Sequence, residues 1–172
     1  MTEIFRRKGY EGASYADLMA ATGLVKASLY HRFPGGKEDM VNAVLSHVGN
    51  EFSTCVLSPA QEAGPPEKRA QQMARGLAKF YGSGRNWCLL DTLTLASDRR
   101  TLKHAKRSME LWVESFARIA RDAGLSPALS RRRAEDAVAA IEGGLIVSRV
   151  MHSRRPFLRA LLTLPDRLTS AG

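Results

Sequence analysis

The chain has 172 residues, of which 44% are hydrophobic and 25% are charged. This length and apolar share suffice for one packed domain or two small ones, and they exclude a disordered chain, a collagen-like chain and a repeat array. Lysine and arginine outnumber aspartate and glutamate by 26 to 17, which leaves a net charge of +9 and favours a polyanionic partner. The two cysteines, Cys55 and Cys88, are too few for a disulfide framework, so we expect a reduced, cytoplasmic protein.

Apolar residues recur with the helical period almost throughout the chain, so the sequence predicts an all-α protein of about nine helices. Four helices are predicted in the first third, at residues 2–8, 14–22, 26–33 and 37–56, and 58–66 has the composition of a linker. Five more are predicted at 67–82, 87–97, 101–123, 127–155 and 157–168, with Pro156 breaking the longest before the last begins. Because the first helices are shorter and more tightly punctuated, we predict two domains, 1–48 and 49–172. No stretch approaches the length and apolarity of a membrane span.

The segment Ser14–Phe33 is predicted to form two short helices joined by a turn that contains Gly23. This is the spacing of a helix-turn-helix motif, whose second helix enters the DNA major groove. Leu18, Leu29 and Phe33 stand where apolar side chains pack such a motif. The second helix carries hydrogen-bond donors on its other side, at Lys26, Ser28, Tyr30, His31 and Arg32. Lys37 opens the next helix, where a cation and free N–H groups together can hold a phosphate.

The same pattern fits a helical hairpin inside an ordinary bundle, with the basic side chains merely solvated. Charge does not decide between the two interpretations, because residues 1–49 hold six basic and five acidic residues, a net charge of +1. The remaining positive charge lies further along the chain, and includes a basic run from Arg99 to Arg107. Such a run is usually a solvated helix face, although it also suits an anionic effector or nearby phosphates.

Three blocks of the N-terminal sequence resemble the tetracycline-repressor (TetR) family. They are Lys8-Gly9-Tyr10-Glu11-Gly12-Ala13-Ser14-Tyr15, Ala21-Thr22-Gly23, and Lys26-Ala27-Ser28-Leu29-Tyr30-His31-Arg32-Phe33-Pro34-Gly35-Gly36-Lys37-Glu38. The last block looks like the branch typified by the LmrA and YxaF repressors, and weaker similarity continues at 88–90 and 142–145. Three features depart from the family pattern: little helix precedes Gly9, Ala27 replaces a common glycine, and Met19 replaces a small residue.

The resemblance implies a three-helix DNA-binding head, a connecting fourth helix, and a helical body that binds a small molecule and dimerises through its last two helices. It implies that Ser14 caps the second helix and can touch phosphate, that Lys26, Ser28 and His31 face the groove, and that Tyr30 and Lys37 hold the DNA backbone. The expected protein is therefore a repressor, associated with the nucleoid, that leaves a palindromic double-stranded DNA operator when an unidentified effector binds. A sequence-indifferent DNA-binding protein, or a constitutive regulator without an effector, remains the alternative.

Residues for the two functions of the body are predicted from helical faces. The glycine pair at 143–144 suggests close helix packing between subunits of a homodimer, and the predicted interface residues are Ile141, Gly144, Leu145, Ser148 and Leu161. An apolar effector pocket is predicted to be lined by Phe80, Cys88, Met109, Trp112 and Phe116, although each of these residues taken singly also suits the packed core.

An enzyme is a poor interpretation of this sequence. The four histidines and two cysteines are scattered without metal-ligand spacing, and no phosphate-binding or dinucleotide-binding glycine pattern is present. We therefore expect no catalytic residues, no metal and no cofactor.

Overall fold

The computed structural model of the protein describes residues 1–94 and 99–170, and these residues form helices and turns without any β-strand. The predicted all-α class is thereby confirmed. The α-helices are α1 Thr2–Gly12, α2 Tyr15–Thr22, α3 Lys26–Arg32, α4 Lys37–Phe52, α5 Pro66–Phe80, α6 Leu89–Thr94, α7 Arg99–Asp122, α8 Pro127–Val150, α9 Arg155–Leu162 and α10 Leu164–Thr169. A π-helical turn at Ser53–Leu57 and a 3-10 turn at Ser58–Gln61 connect α4 to α5.

Several helix boundaries differ from the sequence prediction. Gly9 does not end the first helix but kinks it, with φ 67 and ψ −171, and helical structure continues to Gly12. The long helix α8 ends at Val150 rather than near Arg155, because the chain turns where His152 has φ 49. Pro156 therefore lies in the first turn of α9, where its missing N–H costs no helical hydrogen bond. The predicted helix at 87–97 is observed as α6, and its positions 95–97 lie outside the described residues.

The chain divides into two compact units. The first comprises Met1–Asn50 together with 87–94 and 99–107, and the second comprises 51–86 and 108–170. The N-terminal segment of the first unit, Met1–Asn50, ends close to the predicted domain boundary at residue 48. The first unit also includes α6 and the first turns of α7, which the sequence analysis assigned to the second domain. No helix among the described residues combines the length and apolar character needed to cross a bilayer.

The core of the first unit is formed where the short helices meet α4. Its fully buried side chains include Phe5 of α1, Leu18 of α2, Leu29 of α3 and Met40 of α4. Leu18 and Leu29 thus pack as the periodicity predicts, whereas Phe33 is only half-buried. Helix α6 packs on α1 in this unit.

The second unit is organised around α5, which contacts α9, α10 and the turns that precede it, while α8 packs on α9. One buried cation contributes to this arrangement. Arg69, 5% exposed, donates to the carbonyl oxygen of Glu62 at 3.1 Å and to Asp122 Oδ2 at 2.7 Å, and so ties α5 to the end of α7. Nothing in the helical pattern distinguishes Arg69 from a solvated arginine, because its partners are distant in sequence.

Candidate DNA-binding site

Helix α2 begins at a capping box formed by Ser14 and Asp17. Ser14 Oγ accepts the backbone N–H of Asp17 at 3.1 Å, and Asp17 Oδ2 accepts the backbone N–H of Ser14 at 3.1 Å. Lys8 Nζ lies 2.6 Å from the other carboxylate oxygen. The Lys8 ammonium first, and then the Ser14 hydroxyl and N–H, lower the pKa of Asp17 to about 2. The capping box therefore fixes the start of α2, as the sequence predicts.

The turn between α2 and α3 is made by Thr22, Gly23 and Leu24. Gly23 has φ 68, a left-handed conformation that residues with a Cβ rarely adopt, and its N–H donates to the carbonyl oxygen of Met19 at 2.9 Å. Thr22 Oγ1 accepts the N–H of Leu24 at 3.3 Å. Val25, which precedes α3, is 63% exposed. The turn thus places the N-terminal end of α3 at the surface of the protein.

Helix α3 buries one residue and exposes the rest of its length. Leu29 is fully buried, while the predicted DNA-contacting residues of this helix are all exposed, namely Lys26, Ser28, Tyr30 and His31. Ser14 is exposed as well, although its hydroxyl is engaged in the capping box. No acidic residue occurs from Thr22 to Lys37. The exposed side of α3 is therefore a surface of donors without a competing carboxylate of its own.

Two tyrosines from different helices stack beside this surface. The rings of Tyr15 and Tyr30 lie 5.4 Å apart at an interplanar angle of 18°, and Lys26 Nζ lies 6.0 Å from the centre of each ring. A hydrogen bond with Tyr30, followed by partial burial, raises the pKa of Tyr15 above its ordinary value. Sequence reasoning missed Tyr15, because its partner is fifteen positions away and belongs to another helix.

Lys37 occupies the first position of α4, as predicted, but its ammonium is already engaged. Lys37 Nζ donates to the carbonyl oxygen of Ala13 at 3.3 Å and lies 4.6 Å from the centre of the Tyr10 ring. These contacts hold the cation against the link between α1 and α2. Its contact with a DNA phosphate remains a prediction.

The predicted effector residues fall into both units. Phe80, Met109, Trp112 and Phe116 belong to the second unit and Cys88 to the first, where Cys88 is buried just before α6. In the second unit the aromatic residues form a cluster joined through Phe52. The ring of Phe52 lies 5.0 Å from that of Phe80 and 4.9 Å from that of Trp112, which in turn lies 6.0 Å from that of Phe116. All three pairs are edge-to-face, an arrangement typical of packed aromatic cores.

Trp112 stands out within this aromatic cluster. Its side chain is 2% exposed, and its indole Nε1 has no hydrogen-bond partner among the described residues. A buried indole N–H usually finds an acceptor. The indole N–H of Trp112 is therefore a buried donor that no described group satisfies.

A separate open groove of ≈460 Å³ runs along α5 and the α9–α10 segment. Leu158 and Leu162 of α9 contribute to it, and none of the five predicted effector residues lines it.

The predicted dimer residues lie inside the subunit rather than on its surface. Ile141, Leu145 and Leu161 are at most 6% exposed. Ser148 is also buried, and its Oγ accepts the N–H of Phe157 at 3.1 Å, so it serves as a contact between α8 and α9 of the same chain.

The close helix approach predicted at Gly144 is likewise made within the chain. A Cβ at this position would lie 3.1 Å from the Cα atom of Phe157, whereas a Cβ on Gly143 would meet nothing within 4 Å. The packing of α9 therefore accounts for Gly144 without a second subunit. The free face of α8 lies elsewhere and exposes Ile146, Val147 and Val150, followed by the exposed Met151 in the next turn, while α9 exposes Leu158 and Leu162.

Two short helices joined by a tight glycine turn, with a basic and acid-free second helix at the surface, define a helix-turn-helix DNA-binding regulator. The family model for bacterial regulatory proteins of the tetR family matches residues 2–44. The model for the C-terminal domain of LmrA/YxaF-like transcriptional regulators matches residues 66–161, more than half of the chain. The protein belongs to the TetR family of transcriptional regulators, in the LmrA/YxaF-like group that the sequence resemblance indicated.

Curated relatives span nearly the whole chain. The HTH-type transcriptional regulator LmrA of Bacillus subtilis is 23% identical over 97% of this chain and 92% of its own. The HTH-type regulator YxaF of the same organism is 21% identical over 99% and 92%, respectively. The HTH-type transcriptional repressor DhaR of a Mycobacterium species is 25% identical over 97% and 87%.

Solved structures share the fold. A TetR transcriptional regulator from Legionella pneumophila superposes with a TM-score of 0.86 at 22% identity, covering 98% of this chain and 92% of that one. A TetR-family regulator from Agrobacterium tumefaciens gives 0.84 at 18% identity, covering 98% and 93%.

Proposed function

We propose that this protein is a sequence-specific repressor of transcription that binds a palindromic operator as a homodimer and leaves it when a small-molecule effector binds. The exposed side of α3 carries this proposal. Lys26, Ser28 and His31 all face solvent on a helix anchored by Leu29, and no carboxylate of the segment competes with DNA for them. Side chains of this kind read base edges in the major groove, while helix caps and cations hold the flanking phosphates.

The exposed apolar residues at and just after the C-terminal end of α8 support a dimer. Val150 is 70% exposed, Met151 in the turn that follows is 66% exposed, and Val147, about one turn before Val150 on α8, is 42% exposed. An isologous contact between two copies would remove these side chains from water and would set two recognition helices on successive half-sites. We assign the interface to these residues and not to the buried positions that the helical pattern suggested.

An effector site fits the aromatic cluster around Trp112. Because the indole N–H of Trp112 is buried without a partner, a largely apolar ligand that carries one hydrogen-bond acceptor would satisfy it. Trp112→Phe keeps most of the ring volume and removes the donor, so it should weaken the response to effector and leave operator affinity unchanged. A variant with the wild-type effector response would exclude this donor from the site.

Sequencing of genomic fragments retained by the purified protein tests the function as a whole. Recovery of a shared near-palindrome would support a dimeric, sequence-specific regulator, and that operator would then serve as the probe for effector screening by release. Fragments without a common site would contradict the proposal and favour sequence-indifferent binding. A specific operator that no tested small molecule releases would instead favour a constitutive regulator.

A further inference from the structure

The first turns of α7 carry a stripe of positive charge that the helix-turn-helix motif does not use. Five basic residues lie between positions 99 and 107 with no acid among them, and all five are exposed. We call this group the basic stripe, and it comprises Arg99, Arg100, Lys103, Lys106 and Arg107. Thr101 and Ala105 are buried, so this part of the helix has an inner side against the protein and an outer side that is basic. Positions 99, 103 and 107 follow each other at four-residue spacing and therefore share one helix face.

The basic stripe belongs to the same compact unit as the helix-turn-helix motif. Arg100 Nη1 lies 3.4 Å from Oδ1 of Asp39, which is in the first turn of α4. Asp39 also accepts the N–H of Gly35 at 2.7 Å, which fixes the carboxylate at the turn that precedes α4. Asp39 is two residues from Lys37, the predicted phosphate contact. The stripe thus begins beside an element that is itself expected to approach the DNA backbone.

The DNA-binding head carries little net positive charge by itself, and the basic stripe adds cations to the same compact unit. Met1–Asn50 holds six basic and five acidic residues, so this segment contributes a net charge of only +1. Affinity for DNA depends strongly on the number of phosphates that a protein neutralises. The basic stripe nearly doubles the cations of the unit, and over nine residues it extends for about 12 Å along the helix. At about 3.4 Å per phosphate along one strand, that length matches three to four phosphates.

We propose that the basic stripe is a second DNA-contacting surface, which binds backbone phosphates of the duplex that flanks the operator. This inference rests on the proposed function, because it presupposes that α3 is placed on DNA. The stripe contributes affinity and salt dependence without sequence preference, since a cation on a phosphate carries no information about the base.

Arg99→Gln/Lys103→Gln/Arg107→Gln tests the proposal, because the three side chains are exposed and share one face. Lys68→Gln/Lys79→Gln/Arg132→Gln is the matched control, since it removes three exposed cations from the second unit and changes the net charge equally. Binding is measured by fluorescence anisotropy against salt concentration, on a duplex trimmed to the operator and on one extended by about 10 base pairs on each side. On the extended duplex the homodimer loses three cations from each subunit, so the slope of log affinity against log salt should fall by about 5 for the test variant and stay unchanged for the control. On the trimmed duplex both variants should match the wild type.

Equal slopes for the test variant and the wild type on the extended duplex would overturn the proposal. Equal losses in the test and control variants would overturn it too, because they would show an effect of total charge. Arg99→Lys/Lys103→Arg/Arg107→Lys preserves the charges and should restore the wild-type slope; failure to do so would count against phosphate contacts. A failure of the proposed function is distinguishable, since the protein would then show no preferred sequence on either duplex, whereas the effect of the stripe is measured as a salt slope.

Discussion

The exposed side of α3 and the exposed end of α8 present opposite chemistry. Each helix buries one side in its own compact unit, with Leu29 fully buried on α3 and Ile141 fully buried on α8. The remaining side of α3 presents donors such as Lys26 and His31, whereas that of α8 presents Val150, which is 70% exposed. Exposed cationic donors bind favourably to polyanions, whereas exposed apolar side chains are stabilised by burial away from water. The two surfaces therefore suit different partners, and we propose DNA for the first and a second copy of this chain for the second.

The largest expected effect is that of a charge on the apolar face of α8. Val150→Glu would bury a carboxylate from each subunit in the proposed dimer contact, at a cost of about 3 kcal/mol. The dimer dissociation constant should therefore rise roughly a hundredfold, as measured by sedimentation equilibrium. Leu111→Glu changes another exposed apolar residue, on α7, and should leave the constant unaltered. If the dissociation constant of Val150→Glu equals that of the wild type, the exposed apolar face of α8 is not the dimer interface.

The second prediction distinguishes a residue that contacts DNA bases, His31, from a residue that contacts the DNA backbone, Lys37. His31→Ala should lower operator affinity by about 1–3 kcal/mol and relax the preference at particular base pairs. Lys37→Ala should weaken binding to all sequences alike and reduce the salt slope by about two units, one for each subunit of the dimer. Both variants are measured on the operator and on single-base-pair variants of it. If His31→Ala keeps the wild-type base preference, His31 does not read bases. If Lys37→Ala alters that preference, Lys37 is not a contact to the DNA backbone alone.

The two adjacent glycines of α8 provide a stability test. Gly144→Ala would press a methyl group against the backbone of Phe157, at 3.1 Å, and Gly143→Ala would meet nothing. Overpacking costs about 1–3 kcal/mol, whereas an open helical position gains up to about 1 kcal/mol from the same change. Urea unfolding in the Val150→Glu background, which isolates the subunit from its dimer contact, should place Gly144→Ala about 2 kcal/mol below Gly143→Ala. Equal free energies of unfolding for the two variants would show that α9 shifts to accommodate the added methyl group without a loss of stability.

The smallest effect concerns the capping box of α2. The pKa of Asp17 is lowered from 3.8 to about 2, so the folded state favours the ionised carboxylate. Its contribution is complete above about pH 4 and is lost as the pH falls towards 2. Asp17→Asn should therefore be less stable than the wild type at neutral pH, and the two should converge between pH 4 and 2 in urea unfolding. Glu11→Gln alters an exposed acid close by and should show no such convergence.

Local signals explain why the DNA-binding head is predictable from the sequence. The capping pattern of Ser14 and Asp17 and the left-handed glycine at position 23 each act within a few residues, and both are observed. The TetR resemblance is concentrated in the same segment. The stacking of Tyr15 on Tyr30 and the engagement of Lys37 with Ala13 escaped prediction, because both join residues that only the packed helices bring together.

The body of the protein shows the limit of the same reasoning. By itself, the sequence determined that the chain is helical, that it carries a helix-turn-helix motif, and that α8 has an apolar face with two glycines. Periodicity gives the faces of a helix but not the neighbour that covers each face, and here α9 of the same chain packs against Gly144 and Ser148, while Ile141 is fully buried. Only the tertiary structure decided that Val150 and its neighbours are the face left exposed, and that the basic stripe belongs with the DNA-binding head. The physical reason is that burial depends on contacts between distant segments, which no local pattern contains.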